Sequence, residues 1–186
     1  MELILRGQDC GFTWAAAHLL PGHFKCSRMH GHNYVLDVEI KGKPKNGMIV
    51  DFVEVKKRLR EAVEEFDHKL MLPEKAENMV VRRAHNEPYM LRIDYTLKEE
   101  ELDSTTGEVV GEDIINKKYY VPIMDTVIVA DAQYITAETL AEYFKVKVVN
   151  LAIKCKWGIP LDGISVIIYE AAGQGVKASY NETVLK

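Results

Sequence analysis

The sequence lacks three features that would set it apart from ordinary globular proteins. No apolar run approaches the roughly 18 to 20 residues of a bilayer-spanning helix, and the first residues show no basic region followed by a cleavable apolar stretch. The 24 basic residues do not exceed the 28 acidic ones, and the net charge of −4 leaves no basic stripe for a phosphate backbone. We therefore expect a cytoplasmic protein without membrane or nucleic-acid partners.

Cysteine is scarce as well. The chain has three, Cys10, Cys26 and Cys155, which is an odd number and does not suit a disulfide framework. Without an export signal, reduced thiols are expected. The rest of the composition, with 47% hydrophobic and 28% charged residues among 186, is that of a single domain with a normal core.

Two segments near the N terminus alternate apolar and polar residues, as half-buried strands do. In the segment from Phe12 to His18, His18 shares the parity of the apolar residues and is expected to face inward. In the segment from His30 to Lys41, His30 and His32 lie on the apolar face. A third, short strand is predicted over residues 48–50, after a turn rich in Gly, Pro, Lys and Asn.

Two amphipathic helices are predicted from three- and four-residue apolar spacing. The first begins at Asp51, an N-cap with Glu54 three residues on, and ends before Asp67. The second begins near Thr136, whose hydroxyl can cap it. The fold class is therefore α+β, a mainly antiparallel sheet with two helices on one face. The other sheet face is expected to be covered by further subunits.

The residues between the helices predict an insertion. Strand-like stretches at 79–96 and 119–130 flank an acidic tract, which indicates an extended hairpin with a solvated tip. The chain is thus expected to form one domain over residues 1–186, with an inserted hairpin at about 73–132.

Three histidines form a candidate metal site. Positions i and i+2 of a strand point the same way, so His30 and His32 can offer two imidazoles to one ion. His18, on a neighbouring inward-facing strand, is the candidate third ligand. Three neutral nitrogens without a fourth protein ligand are typical of catalytic zinc. The alternative is that His30 and His32 are two polar residues on a wet strand face.

Four further residues are candidates for chemistry. Cys26 lies in a polar loop with Lys25 and Arg28, and nearby positive charge favours the thiolate, which could act as a base. Asp67 can orient the ring of His68 for acid-base work, although a solvated histidine at a helix end explains the pair equally well. Glu170 continues the inner parity of the strand from Ile164 and could accept hydrogen bonds from a ligand, unless the strand has ended there.

Taken in order, these pieces resemble the family of 6-pyruvoyltetrahydropterin and 6-carboxytetrahydropterin synthases. The resemblance covers most of the chain except roughly residues 73–132. The matching segments are Phe12-Thr-Trp-Ala-Ala-Ala-His18, Cys26-Ser-Arg-Met-His30-Gly-His32-Asn-Tyr34, Gly47-Met-Ile-Val-Asp51-Phe52, Phe66-Asp-His68-Lys, Thr136-Ala-Glu138 and Tyr169-Glu170.

The resemblance implies a tunnelling fold (T-fold) whose trimers stack into homohexamers with active sites between subunits. It also implies roles for nine residues: zinc binding for His18, His30 and His32, catalysis for Cys26, Asp67 and His68, pterin anchoring for Glu170, and secondary pocket positions for Thr136 and Glu138. The implied substrate is 7,8-dihydroneopterin triphosphate.

The interval between Cys26 and His30 distinguishes branches of the family. Three residues intervene here, as in the carboxy enzymes of the deazapurine route to queuosine or archaeosine, whereas the pyruvoyl enzymes have five. Enzymes that cleave the neopterin side chain carry a glutamate at or beside the cysteine, and none stands here. The carboxy branch is favoured, with a pyruvoyl-forming or side-chain-cleaving enzyme as alternatives, and a noncatalytic zinc protein that binds pterin as a third.

Overall fold

The computed structural model of the chain describes residues 1–23, 25–102, 109–157 and 161–181. Its elements in chain order are β1 (Glu2–Leu5), α1 (Gly7–Cys10), β2 (Thr13–His18), β3 (His30–Gly42), α2 (Phe52–Glu64), β4 (Lys69–Pro73), β5 (Val80–Ala84), β6 (Glu87–Leu102), β7 (Val109–Pro122), a 3-10 turn (Ile123–Asp125), β8 (Thr126–Val129), α3 (Ala137–Lys154), β9 (Leu161–Ala171) and β10 (Gln174–Asn181). Backbone contacts divide the chain into unit 1 (Met1–Ala16, Gly31–Lys69, Thr136–Lys186) and unit 2 (Ala17–His30, Leu70–Ile135).

Unit 1 is built on antiparallel strands in the order β10-β9-β3-β2, with β1 also paired to β3. In the register of this sheet, Val38 of β3 lies opposite Leu5 on one side and Val166 on the other. The alternation predicted for β2 and β3 is confirmed, since even-numbered positions such as Trp14, Leu36 and Val38 are buried.

Aromatic rings form the core between the unit 1 sheet and its helices. Trp14 of β2 stacks on Tyr34 of β3, with ring centroids 5.2 Å apart and planes 15° apart. Phe144 of α3 lies 5.2 Å from Trp14 and 5.1 Å from Phe66, which follows α2. Both helices therefore pack around the sheet face that carries Trp14.

The predicted helix starts are confirmed, with one difference at the first cap. The carboxylate of Asp51 accepts a hydrogen bond from the amide of Val53, but Glu54 pairs with Arg58 rather than closing a capping box. Thr136 does form a capping box at the start of α3, and its partner is Thr139.

The prediction of a short strand over residues 48–50 is wrong. Only an isolated bridge joins Met48 to Lys45, and the two residues between them, Asn46 and Gly47, have φ of 52° and 82°. These left-handed conformations close a tight turn. Only residues 48–50 lie between this turn and the cap of α2, and they are too few to form a paired β-strand.

Unit 2 contains an antiparallel sheet in the order β5-β6-β7 and the parallel pair β4 and β8. β6 and β7 pair as an antiparallel hairpin, and β6 runs to Leu102, into the acidic tract expected to form the tip; residues 103–108 lie outside the described residues. The core of this unit consists of Leu19, Leu70, Leu72, Met79, Ile93 and Tyr95. Among the described helices, none combines the length and apolar content needed to span a bilayer.

Candidate functional site

Three histidines converge where β2 ends and β3 begins. His18, His30 and His32 each offer one ring nitrogen, and these three nitrogens lie within 4.8 Å of one another. His18 is 4% exposed, and its ring centroid is 4.4 Å from that of His30. The burial and the convergence follow from the strand parity that places all three on the apolar side.

Backbone carbonyls fix the orientation of two of these rings. The Nδ1 of His18 lies 2.8 Å from the carbonyl oxygen of Ile135, and the Nδ1 of His30 lies 2.7 Å from that of Arg28. A carbonyl oxygen only accepts hydrogen bonds, so each Nδ1 carries the proton and donates. The Nε2 of each ring then has a lone pair for a metal ion, as in metal sites whose ligands are held by outer hydrogen bonds.

The donor set fits zinc. Three neutral imidazole nitrogens are a recurrent zinc ligand set, and they leave a fourth position for water or substrate. His18, His30 and His32 can therefore hold a catalytic metal ion.

Cys26 lies in the loop that joins β2 to β3. Its thiol is free and half-buried. Its carbonyl oxygen accepts a hydrogen bond of 2.7 Å from the amide of Leu20, at the other end of the loop. This hydrogen bond joins the start of the loop to Cys26, the candidate catalytic thiol.

Asp67 and His68 form a dyad whose backbone and side chain are both tied to β2. One oxygen of Asp67 accepts the amide hydrogen of Ala15 at 2.8 Å, and the other lies 2.8 Å from the Nδ1 of His68. The amide of His68 donates to the carbonyl of Ala15 at 2.7 Å, which holds His68 at a left-handed φ of 57°. The side chain of His68 is 83% exposed, so its Nε2 can exchange protons with a bound molecule.

The carboxylate of Asp67 stays ionised to lower pH than an ordinary aspartate. Partial burial acts to raise the pKa of Asp67, but hydrogen bonds from the amide of Ala15 and from His68 outweigh it and hold the pKa below its usual value. Because the folded protein lowers this pKa, the charged carboxylate stabilises the fold above the unfolded pKa of about 3.9. That contribution is lost as the pH falls through the folded pKa.

Asp67→Asn is expected to lower the free energy of unfolding by about 1 kcal/mol at pH 7, since a charge-assisted hydrogen bond is weakened and solvent screens part of the effect. The difference from wild type should shrink as the pH falls from 5 to 2. Urea unfolding at fixed protein concentration measures it, with Asp125→Asn as the exposed control. A difference that did not change with pH would show that the ionised carboxylate is not the stabilising group.

Glu170 lies beside the histidines of β3. One of its carboxylate oxygens accepts a hydrogen bond of 3.1 Å from the hydroxyl of Tyr34 and lies 3.4 Å from the Nε2 of His32. Burial, and then the negative charge of Glu170, raise the pKa of Tyr34, so its hydroxyl remains a donor at neutral pH. The strand continues through Glu170 to Ala171, and the side chain is 28% exposed. A ligand could therefore reach this carboxylate.

The two remaining candidates lie at the start of α3. The hydroxyl of Thr136 accepts a hydrogen bond from the amide of Thr139 and so has a structural role. Glu138 is exposed in the first helical turn. Their part in a binding pocket stays a prediction.

Sequence reasoning missed the groups that hold the site residues. Tyr34 could have been found, because it shares the strand parity of His30 and His32. The carbonyl groups of Arg28 and Ile135 could not, because any residue type supplies a carbonyl and Ile135 is more than one hundred positions from His18.

Comparisons with known proteins give matches over most of the chain. The model of the 6-pyruvoyl tetrahydropterin synthase family matches residues 9–179. A Methanocaldococcus jannaschii protein provisionally named a 6-carboxy-5,6,7,8-tetrahydropterin synthase is 34% identical over 177 residues, 94% of each chain. An Archaeoglobus fulgidus protein with the same provisional name is 50% identical over 60 residues, which cover 32% of this chain and 52% of the relative.

A solved structure shows the fold. The 6-pyruvoyltetrahydropterin synthase of Plasmodium vivax matches with a TM-score of 0.74 at 17% sequence identity, over 97% of this chain and 98% of that one. At this sequence identity the structural similarity supports the fold alone, which is the predicted α+β T-fold. Because the family model spans nearly the whole sequence, the chain belongs to the 6-pyruvoyl tetrahydropterin synthase family.

Proposed function

We propose that the chain is a zinc-dependent 6-carboxy-5,6,7,8-tetrahydropterin synthase. It converts 7,8-dihydroneopterin triphosphate and one water molecule to 6-carboxytetrahydropterin, with release of acetaldehyde and triphosphate, in the biosynthesis of 7-deazapurines such as queuosine or archaeosine. The observation that carries the proposal is the converged group of His18, His30 and His32 with Cys26 four residues before His30. The provisional names of the two archaeal relatives support the same branch.

His18, His30 and His32 would hold the zinc ion through one nitrogen each. Bound zinc would act as a Lewis acid on the side-chain oxygens of the substrate and make the neighbouring carbon-bound protons more acidic. In two of the three rings the Nδ1 proton is donated to a carbonyl group, which leaves the Nε2 as the nitrogen that would bind the ion.

Proton transfer falls to the protein. In this proposal the thiolate of Cys26 removes a carbon-bound proton from the substrate side chain, and the Asp67 and His68 pair moves a second proton on the opposite side. Asp67 keeps the Nδ1 of His68 protonated, so the Nε2 accepts and returns the proton. These transfers drive the elimination of triphosphate and then the cleavage of a carbon-carbon bond, in which one water molecule supplies an oxygen to the carboxyl product and its hydrogens complete the carboxyl group and acetaldehyde.

Glu170 would orient the pterin. Its carboxylate can accept hydrogen bonds from adjacent N–H groups, which the guanidine-like edge of a pterin presents. Tyr34 donates to the same carboxylate and holds it in place. Thr136 and Glu138 would contribute at the edge of the pocket.

We further propose that the protein assembles as a homohexamer, a dimer of trimers with active sites between subunits. On the sheet face of unit 1 opposite Trp14, the apolar side chains of Val35, Ile167 and Tyr169 are half-exposed. Assembly would cover such a face. Light scattering should give about six times the 21.2 kDa of the chain, and a stable monomer would contradict this part of the proposal.

The decisive experiment incubates zinc-loaded protein with 7,8-dihydroneopterin triphosphate and identifies the pterin and the small aldehyde by mass spectrometry. We expect 6-carboxytetrahydropterin together with acetaldehyde. A pyruvoyl pterin, or released glycolaldehyde, would move the protein to another branch of the family. Zinc binding without any turnover would leave a noncatalytic pterin-binding protein.

A further inference from the structure

The loop between His18 and His30 is held by three consecutive carbonyl groups near its end. The carbonyl of Cys26 accepts from the amide of Leu20, and the carbonyl of Arg28 bonds to the ring of His30. Between them, the carbonyl of Ser27 accepts a hydrogen bond of 2.5 Å from the hydroxyl of Tyr95. Two of these carbonyls are thus bonded within the loop and its flanking strand, and the third is bonded to the inserted hairpin.

Tyr95 is well placed to hold this carbonyl. It lies on β6, 68 positions from Ser27 along the chain, and its side chain is 5% exposed. Its ring stacks on that of Tyr119 from β7, with centroids 6.1 Å apart and planes 15° apart. The stack and the surrounding apolar core leave the ring little freedom to turn, so the direction of the hydroxyl is set by the hairpin.

Ser27 has no exposed side-chain surface. A buried carbonyl that loses its donor is costly, because water cannot replace the hydrogen bond. The loop is therefore expected to shift when the hydroxyl of Tyr95 is removed, and Cys26, one residue away, moves with it.

We propose that Tyr95 is a positioning residue for Cys26, and that the inserted hairpin serves the reaction by fixing the loop that carries the thiol. This inference rests on the proposed function for its kinetic consequence. Its structural consequence, the restrained position of Cys26, is independent of any activity.

Tyr95→Phe tests the inference because it removes one oxygen and keeps the packed ring. The alkylation rate of Cys26 by iodoacetamide is expected to rise several-fold relative to Cys10 and Cys155 of the same molecule, since a half-buried thiol becomes more accessible when its loop loosens. Tyr89→Phe on the same strand is the matched control, because Tyr89 is 82% exposed. Peptide mass spectrometry follows all three cysteines at once.

Turnover supplies the second readout. Displacing a catalytic group by about 1 Å can cost up to about 100-fold in rate, so Tyr95→Phe should lower kcat by about 10- to 100-fold with KM changed less than about twofold. Tyr95→4-aminophenylalanine keeps an N–H donor on the ring and is expected to restore both the kcat and the slow alkylation of Cys26.

The outcomes separate the two proposals. If wild-type protein has no turnover, the proposed function fails, whereas the alkylation ratio still tests Tyr95. Unchanged alkylation and kcat in Tyr95→Phe would overturn the positioning role, as would an equal effect in Tyr89→Phe.

Should Tyr95→Phe not fold, hydrogen exchange on the wild-type protein decides. The amides of Leu20 and Ser27 are expected to be protected together with those of β6. Exchange of the loop within minutes while β6 stays protected for hours would overturn the inference.

Discussion

Cys26→Ala is expected to lower kcat by about 100- to 10,000-fold, because the proposed mechanism loses one of its two proton-transferring groups. Zinc content should remain that of the wild type, since the proposed metal ligands are His18, His30 and His32. Steady-state kinetics with 7,8-dihydroneopterin triphosphate and elemental analysis measure the two quantities. The variant protein is thus a test of chemistry with the metal site kept intact.

The other two cysteines provide matched controls for this substitution. Cys10 ends α1, and Cys155 caps the C terminus of α3. Cys10→Ala and Cys155→Ala should retain wild-type kcat. Full activity in Cys26→Ala would remove the thiol from the mechanism, and loss of zinc from that variant would reassign it as a ligand.

His18→Ala should weaken zinc binding by more than about 100-fold, since loss of a direct ligand exceeds the 10- to 100-fold cost of losing an outer hydrogen bond. Activity should disappear with the metal. The substitution also leaves the carbonyl of Ile135 without the imidazole that bonds it in the wild type. Competition with a chromophoric chelator gives the affinity, and circular dichroism checks that the variant is folded.

His85→Ala is the control for this ligand substitution. His85 is exposed in the turn between β5 and β6, so its variant should bind zinc as tightly as the wild type. The zinc affinity of the wild type should also fall in acid, because ligand nitrogens must be deprotonated. One zinc bound with unchanged affinity in His18→Ala would exclude the histidine site.

Local pattern was enough to predict the strands and helices that carry the site. The parity of β2 and β3 follows from which side chains can be buried, and Asp51 and Thr136 identify helix starts because their side chains satisfy exposed amides. These are properties of a few neighbouring residues, so the sequence contains them directly.

Pairings between distant segments could not be predicted in the same way. The parallel pairing of β4 with β8 and the one-turn helix α1 have no local signature that separates them from alternatives. The sequence places Tyr95 in a predicted strand but does not show its partner. The hydrogen bond from Tyr95 to the carbonyl of Ser27 depends on how the hairpin packs.

The backbone and the side chains of strand β2 have different roles. The backbone of Ala15 holds the dyad of Asp67 and His68, while the side chains of Trp14 and His18 enter the core and the metal site. A single residue inserted between Ala15 and His18 would turn His18 to the opposite side of the strand. We therefore expect natural relatives to vary in length in their loops and hairpin, and to admit no insertion or deletion along this strand.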